Sequence, residues 1–310
     1  MMNRMIRPER LVKGDVIGIV APASPVAREQ VERSFSFLEQ LGLRYKVGQS
    51  VYAKNGYLAG SDEKRLADLH GMFKDPEVKG IICAGGGYGS ARYAEQLDME
   101  LIQENPKVFW GFSDITYLHT AIRQGTGLVT FHGPMLASCV AKKEFHELSG
   151  KMFGQLLAPV EVHYSQAISP LDAIVGGVAE GEVVGGNLTL LANSIGSEFE
   201  IQTNRKLLFI EDVGEEPYKV DRLLNQLRLA GKLREAAGII IGDFAKAEPA
   251  TKGATLTLDE VFAHYFSNLG KPVVKGFRMG HCEPNIAIPL GVKGRLDADE
   301  LTLTILPGVK

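Results

Sequence analysis

The chain has 310 residues, of which 45% are hydrophobic and 23% are charged, and its formal net charge is −3 at pH 7. This composition is typical of a globular protein, and the length predicts about two domains. A slightly acidic balance gives no indication of the basic stripe or high pI by which nucleic-acid-binding proteins are recognised. No apolar run reaches the roughly 18 residues needed to span a bilayer. Neither nucleic acid nor a membrane is therefore an expected partner.

The cysteines and the amino-terminal residues indicate a reducing compartment. Cys83, Cys139 and Cys282 are far apart and odd in number, which argues against a disulfide framework. Residues 1–10 are basic but contain neither an apolar core nor a small-residue cleavage site, so no secretory signal is expected. We expect the protein to be cytoplasmic.

The first half of the chain alternates between predicted strands and helices. Strands are expected at 16–20, 44–47, 78–83, 108–110 and 128–131, and helices at 27–41, 62–73, 90–97 and 115–123. Such alternation predicts a parallel sheet that is covered by helices on both faces. Ligand sites in sheets of this kind lie at the carboxyl ends of the strands.

Prolines and glycines interrupt this alternation near the middle of the chain. We interpret residues 166–186 as a linker between a first domain, 1–165, and a second domain, 187–310. The second domain is predicted to contain helices at 187–195, 218–229 and 258–266, and strands at 206–210, 238–241, 273–275, 287–290 and 301–305. Late strands that are separated by Gly and Asp turns favour a mixed sheet or a small barrel.

The most informative segment is 107–116, in which an apolar run leads into Gly111-Phe112-Ser113 and a helical pattern follows at once. This is the layout of a nucleophile elbow, in which a serine on a sharp strand-to-helix turn holds its hydroxyl out of the sheet edge. The match is incomplete, because Ile115 replaces the second glycine of Gly-x-Ser-x-Gly. A plain helix N-cap at Ser113 is the alternative interpretation.

A second glycine-rich turn, at residues 84–90, also follows a predicted strand and precedes a predicted helix. Its glycines allow positive φ and present backbone N–H groups. A phosphate-binding loop is disfavoured, because no Lys-Ser or Lys-Thr pair follows the glycines. An oxyanion hole facing Ser113 and a plain tight turn remain as interpretations.

A nucleophilic serine requires a base and a group that orients the base. His281, in a loop held by glycine and proline, suits the role of base, and His132, at a strand end, is its competitor. Glu211 follows the apolar run 207–210 and is a candidate to orient the base, as is Asp243. A salt bridge or a helix N-cap is an equally open interpretation of Glu211.

A metal site at His281-Cys282-Glu283 is disfavoured. Adjacent side chains of an extended segment point to opposite sides, and the sequence contains no Cys-x-x-Cys or His-x-x-x-His pair that could complete such a site. We therefore expect no metal.

These segments together resemble the cytoplasmic LD-carboxypeptidases (muramoyltetrapeptide carboxypeptidases), a serine peptidase family related to the microcin C self-immunity peptidases. The resemblance runs from residue 14 to about residue 294. It depends on five motifs in the same order: YLAGSD at 57–62, GGYGS at 86–90, GFSD at 111–114, LFIED at 208–212 and GHCEPN at 280–285. It implies an α/β fold, with a flavodoxin-like parallel-sheet amino-terminal domain and a smaller, β-rich, barrel-like carboxy-terminal domain.

The resemblance also implies a Ser-Glu-His triad. Ser113 would be the nucleophile, His281 the general base, and Glu211 the carboxylate that orients the base. Ser113 would then face His281 across a cleft between the two domains.

Other site residues follow from the same resemblance. The backbone N–H groups of Asp114 and of Gly86 or Gly87 would form the oxyanion hole, and Tyr88 would bind substrate. One position departs from the family pattern, because many members have arginine where this chain has Gly85. This departure bears on how the substrate peptide is held.

The implied reaction is hydrolysis of the bond between the third residue of a murein tetrapeptide and its terminal D-alanine, in peptidoglycan recycling. The third residue would be diaminopimelate or lysine with an L centre, and no metal or organic cofactor would be needed. The resemblance suggests a homodimer. The alternatives are a related serine peptidase that cleaves peptidyl-nucleotide antibiotics in self-immunity, and a non-catalytic module that binds a small anion.

Overall fold

The computed structural model describes residues 4–249 and 255–310. The chain divides into two compact units. Unit 1 contains the chain up to Val160 together with Ile286–Gly291 and Pro307–Lys310, and unit 2 contains Glu161–Asn285 and Val292–Leu306.

The helices and strands follow in chain order as β1 (Val16–Val20), α1 (Arg28–Gln40), β2 (Arg44–Val47), α2 (Asp62–Lys74), β3 (Val78–Cys83), α3 (Met99–Glu104), β4 (Val108–Gly111), α4 (Thr116–Thr126), β5 (Thr130–His132), α5 (Glu147–Lys151), β6 (Val162–Tyr164), β7 (Asp172–Val175), β8 (Val178–Asn187), α6 (Leu188–Asn193), β9 (Leu207–Val213), α7 (Pro217–Leu229), α8 (Lys232–Glu235), β10 (Gly238–Ala245), α9 (Leu258–Phe266), β11 (Val273–Lys275), β12 (Ile288–Leu290), β13 (Lys293–Asp297) and β14 (Thr302–Ile305). Short 3-10 helices lie at Gln49–Tyr52, Ser90–Gln96, Ser113–Ile115 and Met152–Leu156, with a π-helical turn at Leu136–Val140.

Unit 1 is built on a six-stranded sheet with the order β12-β5-β4-β3-β1-β2. Strands β1 to β5 are parallel and have the 2-1-3-4-5 order of flavodoxin-like folds, whereas β12 is antiparallel to β5. Every residue of β1 and β4 is buried, which is why these strands are continuous apolar runs in the sequence. The predicted α/β fold with a flavodoxin-like parallel sheet is confirmed.

Unit 2 is built on an eight-stranded mixed sheet with the order β6-β14-β13-β8-β9-β10-β11-β7. Strands β8 to β11 are parallel to one another, and the strands flanking them are antiparallel. Apolar residues of α6, α7 and α9, among them Leu191, Leu224 and Phe266, share one core with β9 and β10. The expected mixed, barrel-like second sheet is confirmed.

The chain path between the units differs from the one that the sequence suggests. Residues 166–186, expected to be a linker, contain β7 and most of β8. The glycines of this stretch allow β8 to pack closely against β9. A Cβ built on Gly185 would lie only 2.8 Å from the carbonyl carbon of Phe209. A glycine-rich stretch can thus be a closely packed strand. Residues 286–291, expected in the second domain, belong to unit 1 through β12.

None of the helices within residues 4–249 and 255–310 combines the length and the apolar character required to cross a bilayer.

Candidate active site

Ser113 occupies a strained turn between a strand and a helix. Strand β4 ends at Gly111, and a 3-10 turn that begins at Ser113 leads into α4. The φ angle of Ser113 is +66°, a left-handed conformation that costs a non-glycine residue about 1–2 kcal/mol. Such strain recurs at functional residues, where the surrounding structure enforces it. The strand, turn and helix predicted around Ser113 are present.

The glycine loop lies directly beside this turn. A Cβ built on Gly86 would lie 3.1 Å from the Cβ of Ser113 and 3.3 Å from its Oγ. In the part of the chain that the structure describes, the backbone N–H groups of Gly86 and Gly87 donate to no protein acceptor. Two backbone donors of the loop that contacts Ser113 are therefore available to a ligand.

Hydrogen bonds on both sides hold the glycine loop in place. The Ser24 N–H donates to the carbonyl oxygen of Gly86, and the Tyr88 N–H donates to Ser24 Oγ, each at 3.1 Å. The Asp114 carboxylate accepts from the Ser90 N–H at 2.9 Å, and the Asp114 carbonyl oxygen accepts from Ser90 Oγ at 2.7 Å. The sequence suggested a role only for the backbone of Asp114, whereas the structure shows that its side chain also contacts the loop.

Two further residues of the glycine loop differ in exposure and packing. Tyr88 is 53% exposed, and its ring lies edge-on to that of Tyr57 with 5.8 Å between the ring centroids. At Gly85, a built Cβ would lie 2.7 Å from Cγ1 of Val26. Val26 therefore fills the space that a side chain at position 85 would need, so an arginine there would require Val26 to move.

Unit 2 brings Glu211 and His281 together. Glu211 lies within β9 and is fully buried, and its Oε2 is 2.6 Å from Nδ1 of His281. A short contact with a carboxylate assigns a hydrogen to Nδ1, which makes Nε2 the proton acceptor of the neutral ring. This is the arrangement that the sequence motifs suggested for these two residues.

The charges around this pair favour a protonated imidazole. Burial raises the pKa of Glu211, although the attraction of His281 opposes this effect. Burial lowers the pKa of His281, but Glu211 first, and then Asp212 and Asp243, outweigh burial and raise that pKa above its ordinary value of 6.5. His281 is therefore a stronger base than an isolated histidine.

Asp212, the next carboxylate of β9, makes different contacts, because successive side chains of a strand point to opposite faces. Asp212 accepts hydrogen bonds from the Asn187 amide at 2.9 Å and from the N–H and hydroxyl of Thr189 at 2.9 and 2.8 Å. It thereby connects β9 to the first turn of α6. Asp243, the alternative carboxylate, lies 3.6 Å from the guanidinium of Arg278.

Gly280 makes room for the Glu211 carboxylate. Its φ is +114°, and a built Cβ would lie 2.9 Å from the Cβ and Cδ of Glu211. We expect Gly280→Ala to displace the carboxylate and to lower the free energy of unfolding, measured in urea, by about 1–3 kcal/mol. Gly196→Ala is the control, because Gly196 has φ +86° and open space around it. Equal losses in the two variants would show that the contact with Glu211 has no effect.

The other candidate histidine, His132, is fully buried at the end of β5. A second buried histidine, His119, lies with Nε2 2.9 Å from the carbonyl oxygen of Gly111, and burial lowers its pKa to about 4. His119 is thus neutral and supports the end of β4. Burial argues against either residue as the base.

The sequence motifs did not identify Arg65 as a candidate functional residue. Helix α2 buries Arg65, Leu69 and Phe73, which recur at four-residue spacing along one face. A cationic side chain on the apolar face of a helix is unusual unless it is paired. That pattern was the signal available in the sequence.

His281, Cys282 and Glu283 belong to no metal site in the described ranges. Within residues 4–249 and 255–310, no three His, Cys, Asp or Glu side chains converge as a metal site would require. The Cys282 thiol donates to the carbonyl oxygen of Pro284 at 3.3 Å.

Comparison with known proteins places the chain in a family. Its residues 17–133 match the LD-carboxypeptidase N-terminal domain, and its residues 180–296 match the LD-carboxypeptidase C-terminal domain. It is 49% identical to a probable murein peptide carboxypeptidase of Bacillus subtilis, with 98% of this chain and 95% of that protein covered. It is 31% identical to the murein tetrapeptide carboxypeptidase of Pseudomonas aeruginosa, with 92% and 94% covered.

A solved structure agrees with this relationship. The microcin self-immunity protein MccF in complex with glutamyl sulfamoyl guanosine superposes with a TM-score of 0.88 at 26% identity, covering 97% of this chain and 98% of that one. The family and enzyme class expected from the motifs are confirmed: the chain belongs to the LD-carboxypeptidase family of serine peptidases.

Proposed function

We propose that this chain is a serine LD-carboxypeptidase that releases the terminal D-alanine from murein tetrapeptides. The scissile bond joins D-alanine to a third residue with an L centre, diaminopimelate or lysine. The observation that carries the proposal is the 2.6 Å contact between the buried Glu211 carboxylate and Nδ1 of His281. The substrate class is supported by the similarity to proteins named murein peptide and murein tetrapeptide carboxypeptidase.

In the proposed mechanism, Ser113 Oγ attacks the carbonyl carbon of the third residue while Nε2 of His281 takes the hydroxyl proton. Glu211 keeps the hydrogen of the imidazole on Nδ1 and stabilises the imidazolium that forms. His281 then donates its proton to the leaving amine of D-alanine. A water molecule, deprotonated by the same nitrogen, attacks the acyl-enzyme, and the imidazolium returns that proton to Ser113 Oγ as the shortened peptide leaves.

The negative charge of the tetrahedral intermediate requires donors that are already in place. We assign this role to the backbone N–H groups of Gly86, beside Ser113, or of its neighbour Gly87, and of Asp114, in the 3-10 turn that precedes α4. Loss of one such donor typically costs about 100- to 1,000-fold in kcat. Tyr88, exposed on the same loop, is proposed to contact the peptide.

We place the reaction in the cytoplasm and expect the protein to act as a homodimer. All three cysteines are free thiols, which suits a reducing compartment. The dimer follows from the family resemblance and is tested by the molar mass in solution.

The direct test is mass spectrometry of L-Ala-D-Glu-diaminopimelate-D-Ala incubated with the purified chain. The expected products are the tripeptide and free D-alanine. Tetrapeptide with a terminal L-alanine serves as the control and should remain intact. Complete recovery of the D-alanine substrate would overturn the proposal.

A second candidate function is hydrolysis of a peptidyl-nucleotide antibiotic. It is favoured by the similarity to MccF, which was solved with glutamyl sulfamoyl guanosine. The two functions are separated by kcat/KM for the tetrapeptide and for an aminoacyl-sulfamoyl nucleoside, measured on the same preparation. We expect the tetrapeptide to be preferred.

The raised pKa of His281 predicts the acidic limit of activity. Only the neutral imidazole can accept the serine proton, so kcat/KM should fall as pH decreases through a midpoint above 6.5. Glu211→Gln removes the main cause of the raised pKa and leaves burial, so the midpoint should move downward. Titration of the His281 ring by NMR measures both midpoints without relying on activity.

Asp243→Asn is the control for this titration. Among the carboxylates that raise the pKa of His281, Asp243 contributes least. Asp243→Asn should therefore shift the midpoint less than Glu211→Gln does. An unchanged midpoint in Glu211→Gln would contradict the assigned role of that carboxylate.

A further inference from the structure

A buried arginine, Arg65, is hydrogen-bonded to Gly89 near the carboxyl-terminal end of the glycine loop. The Arg65 side chain is fully buried, and its Nη1 donates to the carbonyl oxygens of Pro22, at 2.8 Å, and Gly89, at 2.9 Å. Pro22 follows the carboxyl end of β1, whereas Gly89 belongs to the glycine loop. One nitrogen atom thereby connects two backbone segments at the edge of the sheet where Ser113 lies.

The groups around the Arg65 guanidinium stabilise its positive charge. Nη2 of Arg65 is hydrogen-bonded to the Asp62 carboxylate, and the guanidinium carbon lies 5.0 Å from the ring centroid of Tyr93. The Tyr93 hydroxyl donates to the same Pro22 carbonyl oxygen at 3.0 Å. Nε of Arg65 has no hydrogen-bond partner in the described ranges. Full burial of a charge with one unsatisfied donor is costly, so stability alone is a poor reason for it.

Backbone conformation at Gly89 fits the arginine. Gly89 has φ +126°, and a Cβ built on it would lie 2.7 Å from Nη1 of Arg65 and 2.6 Å from Cδ2 of Leu58. Only glycine admits the guanidinium to this carbonyl oxygen without displacing a neighbour. The sequence at this point of the loop is therefore matched to Arg65.

The residue after Gly89 is held from the opposite side. Ser90 donates through its N–H and its hydroxyl to Asp114, which follows Ser113 in the chain and is 2% exposed. Residues 89 and 90 are thus fixed between a buried cation and a buried carboxylate. Because Gly86 and Gly87 lie only a few residues upstream, the same contacts limit where their N–H groups can point.

We propose that Arg65 is a positioning residue for the reaction of Ser113. Together with Asp114 it forms a loop clamp, defined by these two side chains, that keeps the N–H groups of Gly86 and Gly87 aligned with the developing oxyanion. The inference rests on the proposed function of Ser113 and adds a residue that touches neither substrate nor His281. A shift of about 1 Å in such donors can cost about 100-fold in rate.

Arg65→Met tests the clamp, because methionine retains apolar bulk but neither donates nor carries charge. We expect kcat for D-alanine release, expressed per folded molecule by circular dichroism, to fall about 10- to 100-fold while KM changes less than about twofold. Arg65→Lys, which keeps the charge and a donor, should recover part of this loss. The pH midpoint assigned to His281 should not move, since Glu211 rather than Arg65 contacts that ring.

Arg92→Met is the matched control. Arg92 also pairs with Asp62, at 2.9 Å, but its side chain is 42% exposed. Loss of the Asp62 ion pair alone should therefore leave kcat within about twofold of wild type. A folded Arg65→Met protein with wild-type kcat, or equal losses in Arg65→Met and Arg92→Met, would overturn the proposal.

Two further measurements separate this inference from the proposed function. If Arg65→Met does not fold, Asp114→Ala removes the carboxylate that accepts the Ser90 N–H, and an unchanged kcat in that folded variant overturns the clamp. The rate at which a fluorophosphonate modifies Ser113 needs no murein peptide. A wild-type protein that reacts with the probe but releases no D-alanine refutes the proposed substrate, whereas the ratio of probe rates between wild type and Arg65→Met still tests the clamp.

Discussion

Ser113→Ala is expected to reduce D-alanine release by about four to six orders of magnitude, the loss typical of removing a triad nucleophile. The reason is chemical, because alanine has no oxygen that could form the acyl-enzyme. The measurement is the initial rate of D-alanine release from tetrapeptide, with circular dichroism as the check on folding. Turnover within about tenfold of wild type would refute the assignment of Ser113 as the nucleophile.

Ser113→Gly separates the loss of the hydroxyl from the release of backbone strain. Alanine retains the Cβ that makes φ +66° unfavourable, whereas glycine adopts this φ readily. Both variants should be inactive, yet the glycine variant should be more stable than the alanine variant by about 1 kcal/mol. Equal unfolding midpoints in urea would mean that the turn at Ser113 stores no strain.

Glu211 and His281 are expected to lose function as a unit. His281→Ala removes the base, and Glu211→Gln permits the wrong tautomer, an effect that costs about 10⁴-fold in the comparable serine-protease variant. Because Glu211 acts only through the imidazole, the double variant should be about as slow as His281→Ala alone. Measured kcat values for the wild type, the two single variants and the double variant complete this cycle.

Asp243→Asn is the matched carboxylate control in this experiment. Asp243 lies near Arg278 and raises the pKa of His281 less than Glu211 does. Asp243→Asn should therefore lower kcat by less than about tenfold. Multiplicative losses for Glu211→Gln and His281→Ala would indicate that Glu211 acts independently of the base. Asp243 would then become the carboxylate to test as the orienting group.

Local pattern was sufficient to predict much of unit 1. The apolar run before Gly111, the helical spacing after it and the glycines at 85–87 are properties of neighbouring residues, and each survives in the structure as a strand, a turn or a loop. The sequence pattern gave a wrong prediction where glycines lie in a closely packed strand instead of in a turn. Residues 166–186 were expected to be a linker, yet β8 begins at Val178, and Gly185 allows its close approach to β9.

The amino-acid sequence alone was enough to identify the chemical groups that this protein carries and to place Ser113 just after a strand, because hydrophobic periodicity and turn residues act over a few positions. Contacts between these groups follow from the three-dimensional fold. The 2.6 Å contact between Glu211 and His281 joins residues 70 positions apart, and the guanidinium of Arg65 reaches a carbonyl oxygen 24 positions away. Burial, and the pKa shifts that it causes, likewise arise only when distant segments exclude water together.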